Sequence, residues 1–172
     1  MQLGPAIVGI VGVVVANVVQ AQGVPDFIAR DHARIVAAWL APQPQLRVAT
    51  DRDCDCDEDL RRVRTESSGV WEADPRFQPY YVVGDFNGDE AKDFAVGVVD
   101  RRSARSFRVV VFNGPFTKNT GIEPAFVSEL LPQGQALFFG PPRPEPHRLV
   151  IGSFESEGAV LTPRLTGYVL AQ

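Results

Sequence analysis

The spacing of apolar residues changes character several times along the chain. Leu3 to Val19 is an apolar run interrupted by Asn17 and rich in glycine and valine. From Pro25 to Leu40, Ile28, His32, Ile35, Val36 and Trp39 recur at helical spacing, and Pro42 and Pro44 stop the pattern, which predicts one amphipathic helix. His32 lies on the apolar stripe of that helix, where a histidine is packed and hydrogen-bonded more often than it ligates. A second, short helix is predicted from Asp57 to Arg64: Asp57, Glu58 and Asp59 complement the positive end of the helix dipole, Arg61, Arg62 and Arg64 the negative end, and Leu60 and Val63 face inward.

From Tyr80 the period falls to two, the signature of strands. Tyr80 to Val83 is followed by Phe94 to Val99, in which Phe94, Val96 and Val98 share a bulky face. Ala95, Gly97 and Val99 leave the other face small, as expected where a helix lies close. Arg101 to Arg105 reads as a turn, Phe107 to Phe112 as a strand ending at Asn113-Gly114-Pro115, and Gln135–Phe139, Leu149–Gly152, Ala159–Thr162 and Gly167–Leu170 as further short strands. Pro141 to Pro146 is a stiff connector. The expected fold is α+β: an N-terminal helix and a short second helix packed on a twisted antiparallel sheet, with residues 22–172 forming a single domain.

Candidate chemistry concentrates between the first two strands, in Asp85-Phe86-Asn87-Gly88-Asp89-Glu90-Ala91-Lys92-Asp93. Asp85, Asn87, Asp89 and Asp93 place side-chain oxygens at loop positions one, three, five and nine, and Ala91 offers a backbone carbonyl between the last two. A hard cation taking about 6–8 oxygen ligands suits this alternation, and Ca2+ suits it best. Gly88 allows the positive φ that so tight a loop demands. An EF-hand is excluded, because it needs glycine at position six and a bidentate glutamate at position twelve, where this chain has Glu90 and Val96. The metal-free alternative is an acidic Asp/Asn/Gly turn.

The sequence Asp-x-Asn-Gly-Asp followed by a late aspartate and an apolar strand resembles the calcium loop of FG-GAP repeats, the blades of integrin-alpha-like propellers. The resemblance covers roughly residues 81–99. It implies a Ca2+-pinned hairpin at 80–100 held by Asp85, Asn87, Asp89, Ala91 and Asp93. The loop occurs once in the sequence, so the hairpin carries over and the propeller does not.

A second unusual stretch, Asp51 to Asp59, holds both cysteines of the chain, Cys54 and Cys56, among acids. Surrounding carboxylates disfavour a thiolate, so a reactive pair is not expected. Two readings stay open, a Cys54–Cys56 disulfide and two buried thiols. A second cation on Asp53, Asp55 and Asp57 is a weaker alternative to plain helix capping.

The 172 residues, 45% of them hydrophobic and 22% charged, suit one globular domain, and the net charge of −4 gives no electrostatic footprint for nucleic acid. The apolar run ending in Val19-Gln20-Ala21 reads as a signal peptide, residues 1–21, cleaved after Ala21; a membrane anchor is the second reading and a core strand the third. The expected location is therefore exported: periplasmic, secreted or in the cell envelope, with membrane contact only if the segment stays uncleaved. His147, in a proline-rich turn, has no nameable partner, and Glu155 with Glu157 reads as surface charge. The preferred function is a non-enzymatic calcium-binding module for an unknown protein or ligand. The alternatives are an exported hydrolase-like enzyme with a structural calcium and a membrane-anchored envelope protein.

Overall fold

The helical period of residues 25–40 produces α1, Arg30–Leu40, one turn shorter than its apolar spacing suggests. The chain from Pro25 to Ile28 is instead a turn closed by the Ile28 amide on the Pro25 carbonyl, 3.2 Å, which still buries Ile28. The computed structural model describes residues 23–68, 72–117, 123–139, 148–154 and 158–171. The apolar segment 1–21 with the cleavage expected after Ala21, the proline-rich connector, His147, Glu155 and Glu157 lie outside them. After α1 come β1 (Leu46–Val48), a 3-10 turn (Asp51–Asp53) and α2 (Asp57–Thr65), whose acidic first turn and basic last turn follow the helix dipole.

The strands are β2 (Tyr81–Gly84), β3 (Asp93–Asp100), β4 (Ser103–Phe112), β5 (Phe126–Val127), β6 (Leu131–Pro132), β7 (Ala136–Phe138), β8 (Val150–Gly152), β9 (Ala159–Pro163) and β10 (Tyr168–Ala171). The architecture is α+β, and all strand pairing is antiparallel. The expectation of one sheet needs correcting, because the strands divide between two. β3 is central in the first, with β4 on one side and β1 and β2 end to end on the other; β5 and β6 share the far edge of β4. β7 to β10 form a separate meander. The division falls at Gly134 (φ +79), whose amide donates to the Cys54 carbonyl (2.7 Å), so β7 leaves the β4 edge and pairs with β8 instead.

β4 also starts four residues earlier than expected. The β3–β4 turn is only Arg101-Arg102, tightened by the Arg102 amide donating to Asp100 Oδ1 (2.7 Å), with a register shift at Val99/Asp100.

The two faces of β3 lie in two cores. Phe94, Val96 and Val98 pack with Ile35 and Val36 of α1 and with Val110 and Phe112. Ala95 and Val99 pack with Leu60 and Val63 of α2 and with Leu137, Ile151 and Leu161 of the second sheet. The small face was expected to lie close to a helix, and α2 packs there. α1 covers the bulky face, and the space at Gly97 itself is taken by the fully buried ring of Tyr80, whose Cδ1 lies 2.6 Å from where a Cβ would stand.

Candidate metal centre

The loop from Asp85 to Asp93 joins two strands in register, with Gly84 opposite Asp93, so its ends are fixed by the sheet. Inside it, Asp85 organises the backbone. Its Oδ1 accepts the amides of Gly88 (2.6 Å) and Asp89 (3.2 Å), and its Oδ2 that of Glu90 (2.9 Å). Asn87 Oδ1 accepts the Asp89 amide at 3.0 Å, and Asp89 Oδ1 the Ala91 amide at 2.8 Å. Asn87 Nδ2 donates to Asp89 Oδ2 at 2.9 Å. These inward amides require left-handed backbone at Gly88 (φ +80) and Glu90 (φ +69).

Asp93 is the one loop aspartate that is fully buried. Its oxygens accept the Phe86 amide (2.9 Å), the Gly114 amide (2.9 Å) and, at 3.4 Å, the Tyr168 hydroxyl, so it ties the loop to the end of β4 and to β10. The same hydroxyl donates to Asn113 Oδ1 at 2.7 Å. Gly114 and Tyr168 are distant in sequence, and no local pattern links them to Asp93. The signal available was Asn113-Gly114 itself, a turn placed opposite the loop once β3 and β4 are paired.

The electrostatics of the carboxylates oppose one another. Burial pushes the Asp93 carboxyl up, and the negative charges of Asp89 and Asp85 push it further, against the pull of the Gly114 and Phe86 amides. Desolvation acts upward on Asp85 too, but the amides of Glu90, Gly88, Asp89 and Asn87 together hold it below the usual carboxylate range. The Tyr168 phenol is pushed up, first by burial and then by Asp93.

Among the described residues, no group of three or more His, Cys, Asp or Glu side chains is arranged to hold a metal ion, and no basic side chain pairs with Asp85, Asp89 or Asp93. The donor set still fits a hard cation: it is all oxygen, three of its groups are anionic, and each carboxylate oxygen has two lone pairs, not all of them used by amides. Asp85, which meets three amides, and Asp93, which meets two amides and the Tyr168 hydroxyl, have the least capacity left.

Position six bears on the same question. A left-handed L-residue costs roughly 1–2 kcal/mol, part of which glycine returns as unfolded-chain entropy. Glu90→Gly is therefore expected to stabilise the domain by about 0.5–1 kcal/mol, measured as a rise in the urea midpoint at unchanged slope. A lower midpoint would show that the Glu90 side chain contributes more than its backbone strain costs.

Cys54 and Cys56 are joined in a disulfide, Cα atoms 5.1 Å apart, and Asp55 between them is left-handed (φ +57). Asp53, Asp55 and Asp57 do not converge: Asp53 is buried and bidentate on Arg47 (2.6 and 2.7 Å), while Asp55 and Asp57 are exposed. Burial acts upward on the Asp53 carboxyl, but the Arg47 and Thr50 bonds hold it below its usual value. His32 is packed: its ring stacks on Phe94 at 4.1 Å, and Nδ1 lies 2.8 Å from Tyr81 Oη. Comparison with protein-family models, curated proteins and solved structures finds no match to this chain.

Proposed function

We propose that this chain is an exported, non-enzymatic calcium-binding domain in which the metal stabilises the β2–β3 hairpin of a binding or interaction module. The observation that carries the reading is the uncompensated charge of the loop. Asp93 is fully buried, Asp85 and Asp89 lie close enough to raise its carboxyl, and none of the three is paired with a basic group among the described residues. A bound Ca2+ supplies two positive charges at that point. Asp85, Asn87, Asp89 and Asp93 would hold it through side-chain oxygens and Ala91 through its carbonyl, the set that the resemblance to FG-GAP loops implies. The Phe86 ring beside Phe139 (5.2 Å) packs the loop against the segment after β7, so ordering the loop also orders an adjoining surface. The leader-like segment and the disulfide support an oxidising, extracytoplasmic compartment.

The thermal midpoint with millimolar calcium and with chelator tests this. A metal that binds the native loop and not the unfolded chain stabilises by roughly 2.7 kcal/mol at about a hundredfold its dissociation constant. Magnesium is expected to do less, because it demands octahedral geometry and dehydrates reluctantly. Asp89→Ala should remove most of the calcium shift while leaving β2 and β3 paired. No shift in wild type at millimolar calcium, or a full shift in Asp89→Ala, overturns the assignment and leaves an amide-filled acidic turn.

A further inference from the structure

β2 pairs with β3 along one edge, and among the described residues its other edge is open. The Gly97 amide donates to the Tyr80 carbonyl at 2.9 Å, so the pairs Val82/Ala95 and Gly84/Asp93 also point at β3. The amides and carbonyls of Tyr81 and Val83 then point away from β3, and among the described residues no backbone group bonds to them. Pro79, just before β2, accepts the Leu137 amide at 2.8 Å, and beyond it no further backbone hydrogen bond joins β2 to β7 among the described residues.

A groove of about 400 Å³ lies between residues of β2 and β7. Val82 and Val83 both line it although their side chains leave β2 on opposite faces, which places the groove along the strand's edge. Phe27, Tyr81 and Phe139 make its apolar wall. Through Phe27 and Gln78 it continues into a second hollow of about 470 Å³ beside Arg52. Charge at this end is unbalanced. Asp51 is already paired with Arg64 (2.7 Å), whereas the guanidinium groups of Arg52 and Arg76 make no ion pair or hydrogen bond among the described residues and face one open acid, Asp74.

We propose that this groove takes an extended peptide segment of a partner protein. The segment adds a strand to the open edge of β2, lays alternate apolar side chains on the aromatic wall and ends in carboxylates at Arg52 and Arg76. An open edge supplies backbone hydrogen bonds, flanking pockets read alternate side chains, and guanidinium forks read carboxylate, which together are the elements of strand-addition recognition. The inference deepens the interaction-module part of the proposed function and does not depend on the loop's binding metal.

The probe is a fluorescent heptapeptide that alternates threonine with valine and ends in two glutamates, titrated by anisotropy in calcium and again in chelator. Saturable binding is expected, weakened at least tenfold by N-methylating alternate peptide amides, by exchanging the glutamates for lysines, or by the double change Arg52→Glu with Arg76→Glu. Val83→Pro removes an outward amide that the β3 ladder does not use, so it should keep the thermal midpoint close to wild type and lose binding. No saturation at millimolar peptide, equal binding of the N-methylated or lysine-ended peptide, or a concentration-dependent dimer abolished by Val83→Pro each overturns the proposal. The last would show that a second copy takes the edge. Peptide binding in chelator from a protein with no calcium shift would leave the groove standing and the metal reading refuted.

Discussion

Asp93→Ala is expected to cost roughly 2–4 kcal/mol in chelator, because it leaves one buried and one half-buried amide donor without an acceptor, at about 1–3 kcal/mol for the buried one and less for the other. Those amides belong to Phe86 within the loop and to Gly114 after β4, and the Tyr168 hydroxyl approaches from the second sheet. Against a typical domain stability of about 5–15 kcal/mol, the loss is large enough to unfold a marginal protein. Asp93→Asn keeps the shape but offers one acceptor oxygen, so it should cost roughly half as much and can be measured where the alanine variant fails to fold.

The pH dependence separates anchoring from charge. The folded carboxyl of Asp93 is raised above its unfolded value, so the stability linked to it is present below the unfolded pKa and is lost as pH rises through the folded one. Wild type in chelator should therefore gain on Asp93→Asn as pH falls through that raised value, and the gap should level off below the unfolded pKa. Asp53 and Asp85, both held low, contribute in the opposite sense in each protein, so only the difference between the two curves is informative. Calcium should flatten the difference, since a cation favours the ionised carboxylate that acidification removes. A gap that does not change with pH would mean that Asp93 acts through hydrogen bonds alone.

What the sequence disclosed about the loop and what it concealed follow from the range of the interactions. Oxygen spacing from Asp85 to Asp93 is local and visible, and so is the turn chemistry of Gly88. The bonds of Asp93 to Gly114 and Tyr168 are not, since they exist only once β3, β4 and β10 have assembled. The periods of α1 and α2 were legible because one face of each is buried, and that of β3 because its two buried faces differ in side-chain size. β1, β5 and β6 are only two or three residues long, too short to show a period, and the division into two sheets depends on contacts such as Gly134 with Cys54. The open edge of β2 was invisible for the same reason: periodicity assigns a strand to a sheet but says nothing of what lies on its other side.

The small face of β3 carries the second large prediction. α2 packs on that face through Leu60 and Val63, but at Gly97 itself a Cβ would stand 2.6 Å from Tyr80 Cδ1 and 2.9 Å from its Cβ and Cγ. The Tyr80 ring lies edge-on to Phe107 at 4.9 Å, and its hydroxyl reaches the Asp53 carbonyl at 3.4 Å. Tyr80 therefore joins the face of the first sheet to the disulfide turn. Tyr80→Ala should cost about 3–5 kcal/mol, the range for emptying a large aromatic site in a core. Gly97→Ala should cost about 1–3 kcal/mol through overpacking, because the first atoms met belong to the ring and Cβ of a fully buried residue with no room to retreat. The two costs should not add. With Tyr80 already alanine, the ring contacts are gone and only the Cβ of residue 80, 2.9 Å away, must give, so Gly97→Ala in that background should cost clearly less than in wild type. A double-mutant cycle by urea denaturation measures the coupling, and the midpoint of Tyr80→Phe isolates the hydroxyl. Additive costs across the cycle would show that Gly97 is required by the β3 backbone itself, and that the fit between glycine and ring does not set the spacing of the two sheets.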